Sequence, residues 1–229
     1  MHGTLGEQRP LTAFDCGKLP YRDALELQHR LVNKRHTGEI GDTLLLLEHP
    51  PVITLGRSGT REDILAAPEE LAAAGATVEH IERGGEVTYH GPGQLVGYTI
   101  IDLRQHLRSL KRFVNLLEEV FVQYLDTEFS ITAHRDPEHR GVWVGNEKIT
   151  AVGIAVQQRV TFHGFAFNVN TQLSHFDWII PCGITDRGQT SLERLTGEVQ
   201  DLAAVKQGVG RMFAEVFGFQ WSGMIEGLP

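Results

Sequence analysis

The chain has 229 residues, 41% hydrophobic and 22% charged, with a net charge of −8 at neutral pH. That is enough sequence for one large domain, or a domain with a small appendage, around a continuous core, and the composition is that of a soluble globular protein. The acidic balance argues against nucleic acid as the main partner, because neutralising phosphates needs a basic surface; only a local basic patch would suit an acidic partner.

The longest clean apolar run, Leu44–Leu47, falls far short of the roughly 20 residues that cross a bilayer. Met1–Pro10 lacks the basic start and apolar stretch of a signal peptide. We therefore expect a cytoplasmic protein, with residues 1–10 as a flexible segment of a single domain spanning 1–229. The two cysteines, Cys16 and Cys182, make no disulfide framework and are expected as free thiols in a reducing compartment.

In chain order, Leu11–Phe14 reads as a short strand, followed by a helix from Tyr21 whose buried face carries Leu25, Leu27, Leu31 and Val32. Thr43–Leu47 is a buried strand stopped by His49-Pro50-Pro51, and Val52–Leu55 is extended. Pro68–Ala74 suits a short helix with proline in its first turn. Val78–Ile81 is a strand leading into a Gly-rich loop at Arg83–Gln94, and Leu95–Ile101 is the strand leaving it. A long helix is expected over Leu103–Tyr124, with Leu103, Leu107, Leu110, Val114, Leu117 and Phe121 as its apolar stripe. Gly141–Val144 and Lys148–Gln157 form a hairpin turned by Gly145-Asn146. Val160–Phe162 and Phe165–Val169 continue the sheet, and Asp201–Phe217 is the last helix, burying Leu202, Val205, Val209, Met212, Phe213 and Val216. The pattern predicts an α+β domain, a mixed β-sheet packed with helices.

The segment Arg83–Gln94 packs four glycines and a proline among Arg83, Tyr89, His90 and Gln94. It lies between strands, which argues against a Walker A loop or dinucleotide fingerprint, since both need a helix directly after the glycines. Glycine spacing alone fits a hairpin with a polar tip. The density of functional side chains points instead to a loop whose backbone N–H groups and side chains converge on an oxygen of a ligand.

Cys182 stands in Ile179-Ile180-Pro181-Cys182-Gly183-Ile184. A free cysteine is usually a small buried hydrophobe, but Pro181 and Gly183 suit a tight turn that presents the thiol. Lys148 shares a face with Thr150, Val152 and Ile154 by strand alternation, so it either snorkels to solvent or is held for a purpose. If it meets Cys182, its ammonium stabilises the thiolate while desolvation lowers its own pKa, a pair suited to acyl transfer through a thioester.

There are eleven histidines. His134 and His139 lie in a loop rich in proline and charge, yet no spacing completes the three or four ligands a zinc site needs, and no metal is expected. His163, before Gly164, either lines a pocket or is a hydrogen-bonded structural group. Arg104, Arg108, Lys111 and Arg112 form a basic flank on the long helix, either solvated or a docking strip for an acidic protein.

Arg83-Gly84-Gly85, Thr88-Tyr89-His90-Gly91-Pro92-Gly93-Gln94, Gly145-Asn146-Glu147-Lys148-Ile149, His163-Gly164-Phe165-Ala166-Phe167-Asn168-Val169-Asn170 and Pro181-Cys182-Gly183-Ile184 stand in one order across Thr43–Leu192. Together they resemble the signature segments of the lipoyl(octanoyl) transferases. The resemblance implies the α+β fold of the lipoate and biotin protein ligase catalytic domain. It also implies an acyltransferase that moves an octanoyl group from octanoyl-acyl carrier protein to a lysine of lipoyl domains, those of 2-oxoacid dehydrogenase complexes and the glycine cleavage H protein. Carried over by position, Cys182 is the thioester nucleophile and Lys148 its partner. Arg83, Gly84, Gly85, Glu86, Val87, Thr88, Tyr89, His90, Ala151, Val152, Gly153, Gly164, Phe165 and Ala166 line the acyl pocket, with Gly153 and Gly164 leaving room for the chain. No cofactor is implied, since thioester to amide is downhill. A monomer is expected because no long exposed apolar stretch stands out. The rivals are an ATP-dependent lipoate ligase on the same fold, a module that only binds lipoyl domains, and an amidotransferase moving lipoate between proteins.

Overall fold

The computed structural model describes residues 9–105, 109–180 and 187–229. It begins with β1 (Arg9–Lys18), so two of the ten residues expected to be flexible already belong to a strand. Helix α1 (Tyr21–Thr37) carries the chain to β2 (Asp42–Glu48), which pairs with β1 in parallel. The helix stops at Gly38, which takes the left-handed φ of 82° and donates its N–H to the last carbonyls, a conformation glycine adopts without penalty.

β3 (Val52–Leu55), the short helix α2 (Pro68–Ala73) and β4 (Thr77–His80) follow as expected to within a residue or two. The Gly-rich segment is not one loop. Val87–His90 forms β5, pairing antiparallel with β3 from Leu55↔Val87 to Val52↔His90, and the order β4-β3-β5 makes a separate three-stranded sheet. The strand was hidden by the glycines around it, although Val87 and Tyr89 alternate with Thr88 and His90 as a two-faced strand requires. The loop proper is Arg83–Glu86.

β6 (Gln94–Ile100) enters the large sheet, whose order along its main path is completed by β7 (His134–Arg135), β8 (Val142–Val144), β9 (Glu147–Gln157), β10 (Val160–Asn168) and β12 (Phe219–Gln220) as β12-β1-β2-β6-β10-β9-β8-β7. β11 (Gly188–Gln189) adds to β9 and β13 (Met224–Glu226) to β1. The two apolar runs expected around His163-Gly164 are one strand, β10, but the interruption is real: His163 has φ 57° within it.

The long helix α3 runs over Leu110–Phe129, not Leu103–Tyr124. Asp102 holds its own successors in a turn by accepting from the Arg104 backbone N–H at 2.9 Å and its guanidinium at 2.8 Å, and Ser109 caps the helix by accepting from the Arg112 N–H. Leu103 still reaches the same core from that turn, which is why the stripe read as continuous; Leu107 lies outside the described residues. α4 (Leu192–Thr196) precedes α5 (Leu202–Phe217), capped by Asp201.

Helices α3 and α5 cover one face of the large sheet, packing Phe113, Leu117, Phe121, Val209 and Phe213 on Leu44, Leu46, Phe165 and Phe167. Helix α1 covers the other face over Leu45, Leu47, Val96, Tyr98 and Ala166. This is the mixed, helix-packed α+β architecture expected from the sequence. Among the described residues no helix is long and apolar enough to cross a membrane.

Candidate active site

A cavity of about 820 Å³ opens between the loop Arg83–Glu86 and the middle of β9 and β10. Thirteen of the expected acyl-pocket residues line it: Arg83, Gly84, Gly85, Glu86, Val87, Thr88, His90, Ala151, Val152, Gly153, Gly164, Phe165 and Ala166, with Lys148 beside them. Tyr89 does not. It alternates to the far face of β5, where its hydroxyl meets His175 Nδ1 at 2.7 Å and its ring packs edge-on to Phe176 and Trp178. Cys182 and Arg108 lie outside the described residues.

The loop is clamped by its own arginine. Arg83 is 8% exposed, and its guanidinium donates to Thr54 O at 2.8 Å, Thr54 Oγ1 at 3.0 Å and Gly84 O at 3.0 Å. The next residue donates its N–H to Ile154 O at 3.4 Å, tying the loop onto β9. A Cβ at Gly153 would meet Arg83 Cδ at 3.2 Å and Gly84 O at 3.3 Å, and one at Gly164 would meet Gly97 O at 2.0 Å. Gly164 is therefore needed for backbone approach and Gly153 is packed tightly against the loop, so the room they give belongs first to the loop and to β6.

Lys148 does not share a face with Val152 and Ile154. β8 pairs Trp143 with Lys148 but Val142 with Thr150, so Ile149 is an extra residue in β9. This β-bulge reverses the alternation: Ile149 joins Val152 and Ile154 in the core under α3 and α5, whereas Ala155, in step with Ala151 and Gly153, packs on the α1 side. Lys148 is thus turned to the side of Ala151 and Gly153. It is 6% exposed, and its ammonium lies 4.8 Å from the centre of the Trp143 ring.

That ring is a junction. Trp143 Nε1 donates to His139 O at 3.1 Å, and the Arg187 guanidinium lies 5.0 Å from the same indole. Arg187 in turn donates to Asp136 at 2.6 Å. The Arg187 hydrogen bond, then the N–H groups of His139 and Glu138, hold the Asp136 carboxyl well below the usual carboxylate range. The loop around His134–His139, to which the sequence assigned no role, supplies this anchor. Just beyond Arg187, Gln189 pairs with Lys148 through β11.

The opposite wall holds buried polar aromatics. His49 Nδ1 lies 2.6 Å from Leu19 O, so it carries the proton, and the Tyr98 hydroxyl donates to His49 Nε2 at 2.6 Å. His90 Nδ1 donates to Gln94 Oε1 at 2.8 Å and stacks on Tyr21 at 6.1 Å between centroids. Burial pushes His49 down to about 4; burial, then His49 and Arg83, push His90 down to about 3. His163 is pushed down to about 3 by burial and then Arg83. All three are neutral at physiological pH. Tyr21 and Tyr98 also line the cavity. Neither was singled out from the sequence as a site residue.

Of the basic flank, Arg104 is bound to Asp102, while Lys111 and Arg112 are exposed in the first turn of α3. Lys111 sits in the cavity wall.

Residues 20–214 match the family model of the lipoyl protein ligase A/B catalytic domain. The chain belongs to this family. Within it, the chain is 56% identical over 199 residues to the octanoyltransferase of Caldicellulosiruptor saccharolyticus, covering 86% of this chain and 85% of the relative. It is 50% identical over 204 residues to the octanoyltransferase of Desulforamulus reducens, covering 89% and 90%. In three dimensions it resembles a bipartite lipoate protein ligase of Thermoplasma acidophilum, with a TM-score of 0.72 at 13% identity, covering 96% of this chain and 88% of that one. Family membership bears out the resemblance read from the motifs, and the structural likeness bears out the ligase-type fold.

Proposed function

We propose that the chain transfers an octanoyl group from acyl carrier protein to a lysine amine of a lipoyl domain, with Cys182 carrying the group as a thioester and Lys148 managing the proton. Octanoyl transfer as such follows from the family and its relatives; the donor, the covalent step and the residue roles are the proposal. The observation that carries it is Lys148, a buried amine on the side of Ala151 and Gly153 that lines a cavity large enough for a medium-length acyl chain. Burying such a chain contributes about 5 kcal/mol at ~0.8 kcal/mol per methylene.

In the first half-reaction the Cys182 thiolate attacks the donor carbonyl. A carbon–sulfur bond to Cys182 forms, the bond to the carrier's sulfur breaks, and the carrier leaves as a thiol after taking a proton from the Lys148 ammonium, which becomes the neutral amine. In the second, the acceptor amine attacks the enzyme thioester, loses its proton to Lys148, and releases Cys182. Thioester and amine become thiol and amide, and no nucleotide is consumed. The ammonium form of Lys148 favours the thiolate, and its neutral form accepts the amine proton. Gln189, pairing with Lys148 shortly after Cys182 in the chain, supports the two groups acting together. Such a thiol must stay reduced, which fits a cytoplasmic enzyme.

The test is incubation with octanoyl-carrier protein in the absence of ATP. A hydroxylamine-sensitive octanoyl adduct on Cys182 that chases onto a lipoyl domain is the expected result. Transfer that needs ATP and leaves no adduct would show a ligase instead, and binding without transfer a recognition module.

A further inference from the structure

The far end of the cavity differs from the rest of its wall. His163 pairs with Ile154, further along β9 than Lys148. At ~3.3 Å per residue and allowing for the bulge, Ile154 lies on the order of 17 Å along the strand from Lys148. Lys148 and His163 line the same cavity at separate points of β9 and β10, so an acyl chain that enters at the Lys148 ammonium runs toward His163.

His163 is 2% exposed and lines the cavity, yet both its ring nitrogens lack a hydrogen-bond partner among the described residues. Of its neighbours, the Tyr98 hydroxyl is bonded to His49 and the Arg83 guanidinium to Thr54, while Gln28 Nε2, on the amide that accepts the His163 N–H, is itself without a hydrogen-bond partner among the described residues. A buried polar group without a partner is costly and calls for an explanation. Nor is the imidazole there by slack. Its backbone has φ 57° within β10, its N–H donates to Gln28 Oε1 at 2.7 Å, and its carbonyl accepts from Thr99 Oγ1 at 3.3 Å. A left-handed backbone at a bulky residue persists only where the surroundings impose it.

We propose that His163 forms a polar subsite at the distal end of the acyl slot, fitted to an acyl chain that carries a hydrogen-bonding atom on its last carbon. The inference rests on reading this cavity as the acyl slot. A neutral imidazole offers one N–H donor and one lone pair, so a terminal hydroxyl can bond to either nitrogen. With a plain octanoyl chain a water takes that place.

The experiment compares carrier protein loaded with 8-hydroxyoctanoyl and with nonanoyl, chains of equal length that differ only in the last atom. An apolar wall rejects an added hydroxyl by about a hundredfold. The expected result is that kcat/KM for the hydroxyacyl donor lies within about tenfold of that for nonanoyl. The gap should widen at least tenfold in His163→Leu and stay near the original in His163→Gln, which keeps a donor and an acceptor. A wild-type gap above tenfold, or the same gap in His163→Leu, overturns the subsite. If His163→Leu does not fold, the wild-type gap and His163→Gln decide. Octanoyl transfer is the control: its absence counts against the proposed function, and calorimetric binding of free 8-hydroxyoctanoate against nonanoate then reads the same preference without turnover.

Discussion

The ammonium of Lys148 lies 4.8 Å from the centre of the Trp143 indole, its cross-strand partner in the β8–β9 hairpin. The negative face of the ring attracts the cation, so the side chain is held by an apolar surface that leaves its N–H groups directed by the surrounding site. A bulge at Ile149 makes the arrangement possible, because without it the lysine would point into the core under α3 and α5.

Replacing Lys148 with Met removes the charge and keeps most of the volume. Transfer should slow by about 10²–10⁴-fold, the usual contribution of a positioned acid–base group, while circular dichroism and thermal unfolding show an intact fold. A kcat within a few fold of the original would remove Lys148 from the mechanism.

Acid should weaken the fold early. His49, His90 and His163 are neutral when folded, pushed down to about 4, 3 and 3, but take up protons near pH 6.5 when unfolded. Between those values the unfolded state binds more protons, so stability falls as pH falls, by about 1.4 kcal/mol per pH unit for each histidine well below pH 6.5. Urea midpoints at pH 7.0 and 5.0 measure this, and His90→Gln should flatten the slope by one histidine's share.

Two neighbouring glycines should differ in what they tolerate. In Gly164→Ala the new methyl would meet the Gly97 carbonyl oxygen at 2.0 Å, whereas in Gly97→Ala it would meet Phe165 Cζ at 2.0 Å. A strand backbone yields less readily than a ring, so Gly164→Ala should cost about 3 kcal/mol or more and Gly97→Ala less. Denaturation of the two proteins side by side gives the order, and equal losses would contradict this account of β6 and β10.

Arg35 is buried against Asp42 at 2.7 Å, with Asp102 at 3.7 Å. Truncating it to Met strands buried carboxylates and should cost about 3–5 kcal/mol. Measured stability within 1 kcal/mol of the original would mean that water reaches them.

Carrier docking should depend on Lys111 and Arg112, since Arg104 is already bound to Asp102. Charge reversal at both should raise KM for the acidic carrier several-fold and flatten its dependence on salt, with kcat little changed. Unchanged, salt-insensitive kinetics would mean the flank is only solvated.

Much of this was written locally in the chain. Apolar spacing marked α1, α5 and the central strands, Gly145-Asn146 marked the hairpin, and the joint spacing of the Arg83, Lys148 and His163 segments marked the cavity walls. Helix propensity, turn chemistry and motif spacing act over a few residues, and they survive folding unchanged. What failed to show were features that depend on a partner distant in sequence. The start of α3 follows a turn at Asp102, which Asp42 and Arg35 hold from far back in the chain, over an apolar stripe that ran past it; β5 exists because β3 lies beside it, and Tyr89 left the cavity because its strand has two faces. The face of Lys148 is the sharpest instance. Strand periodicity assigns it to the core, and one inserted residue, detectable only from the register of β8, sends it to the cavity. Sequence alone therefore determined the family, the fold class and the segments that wall the cavity; tertiary structure decided which way their side chains point, because side-chain direction in a sheet follows from pairing register and not from the order of residues.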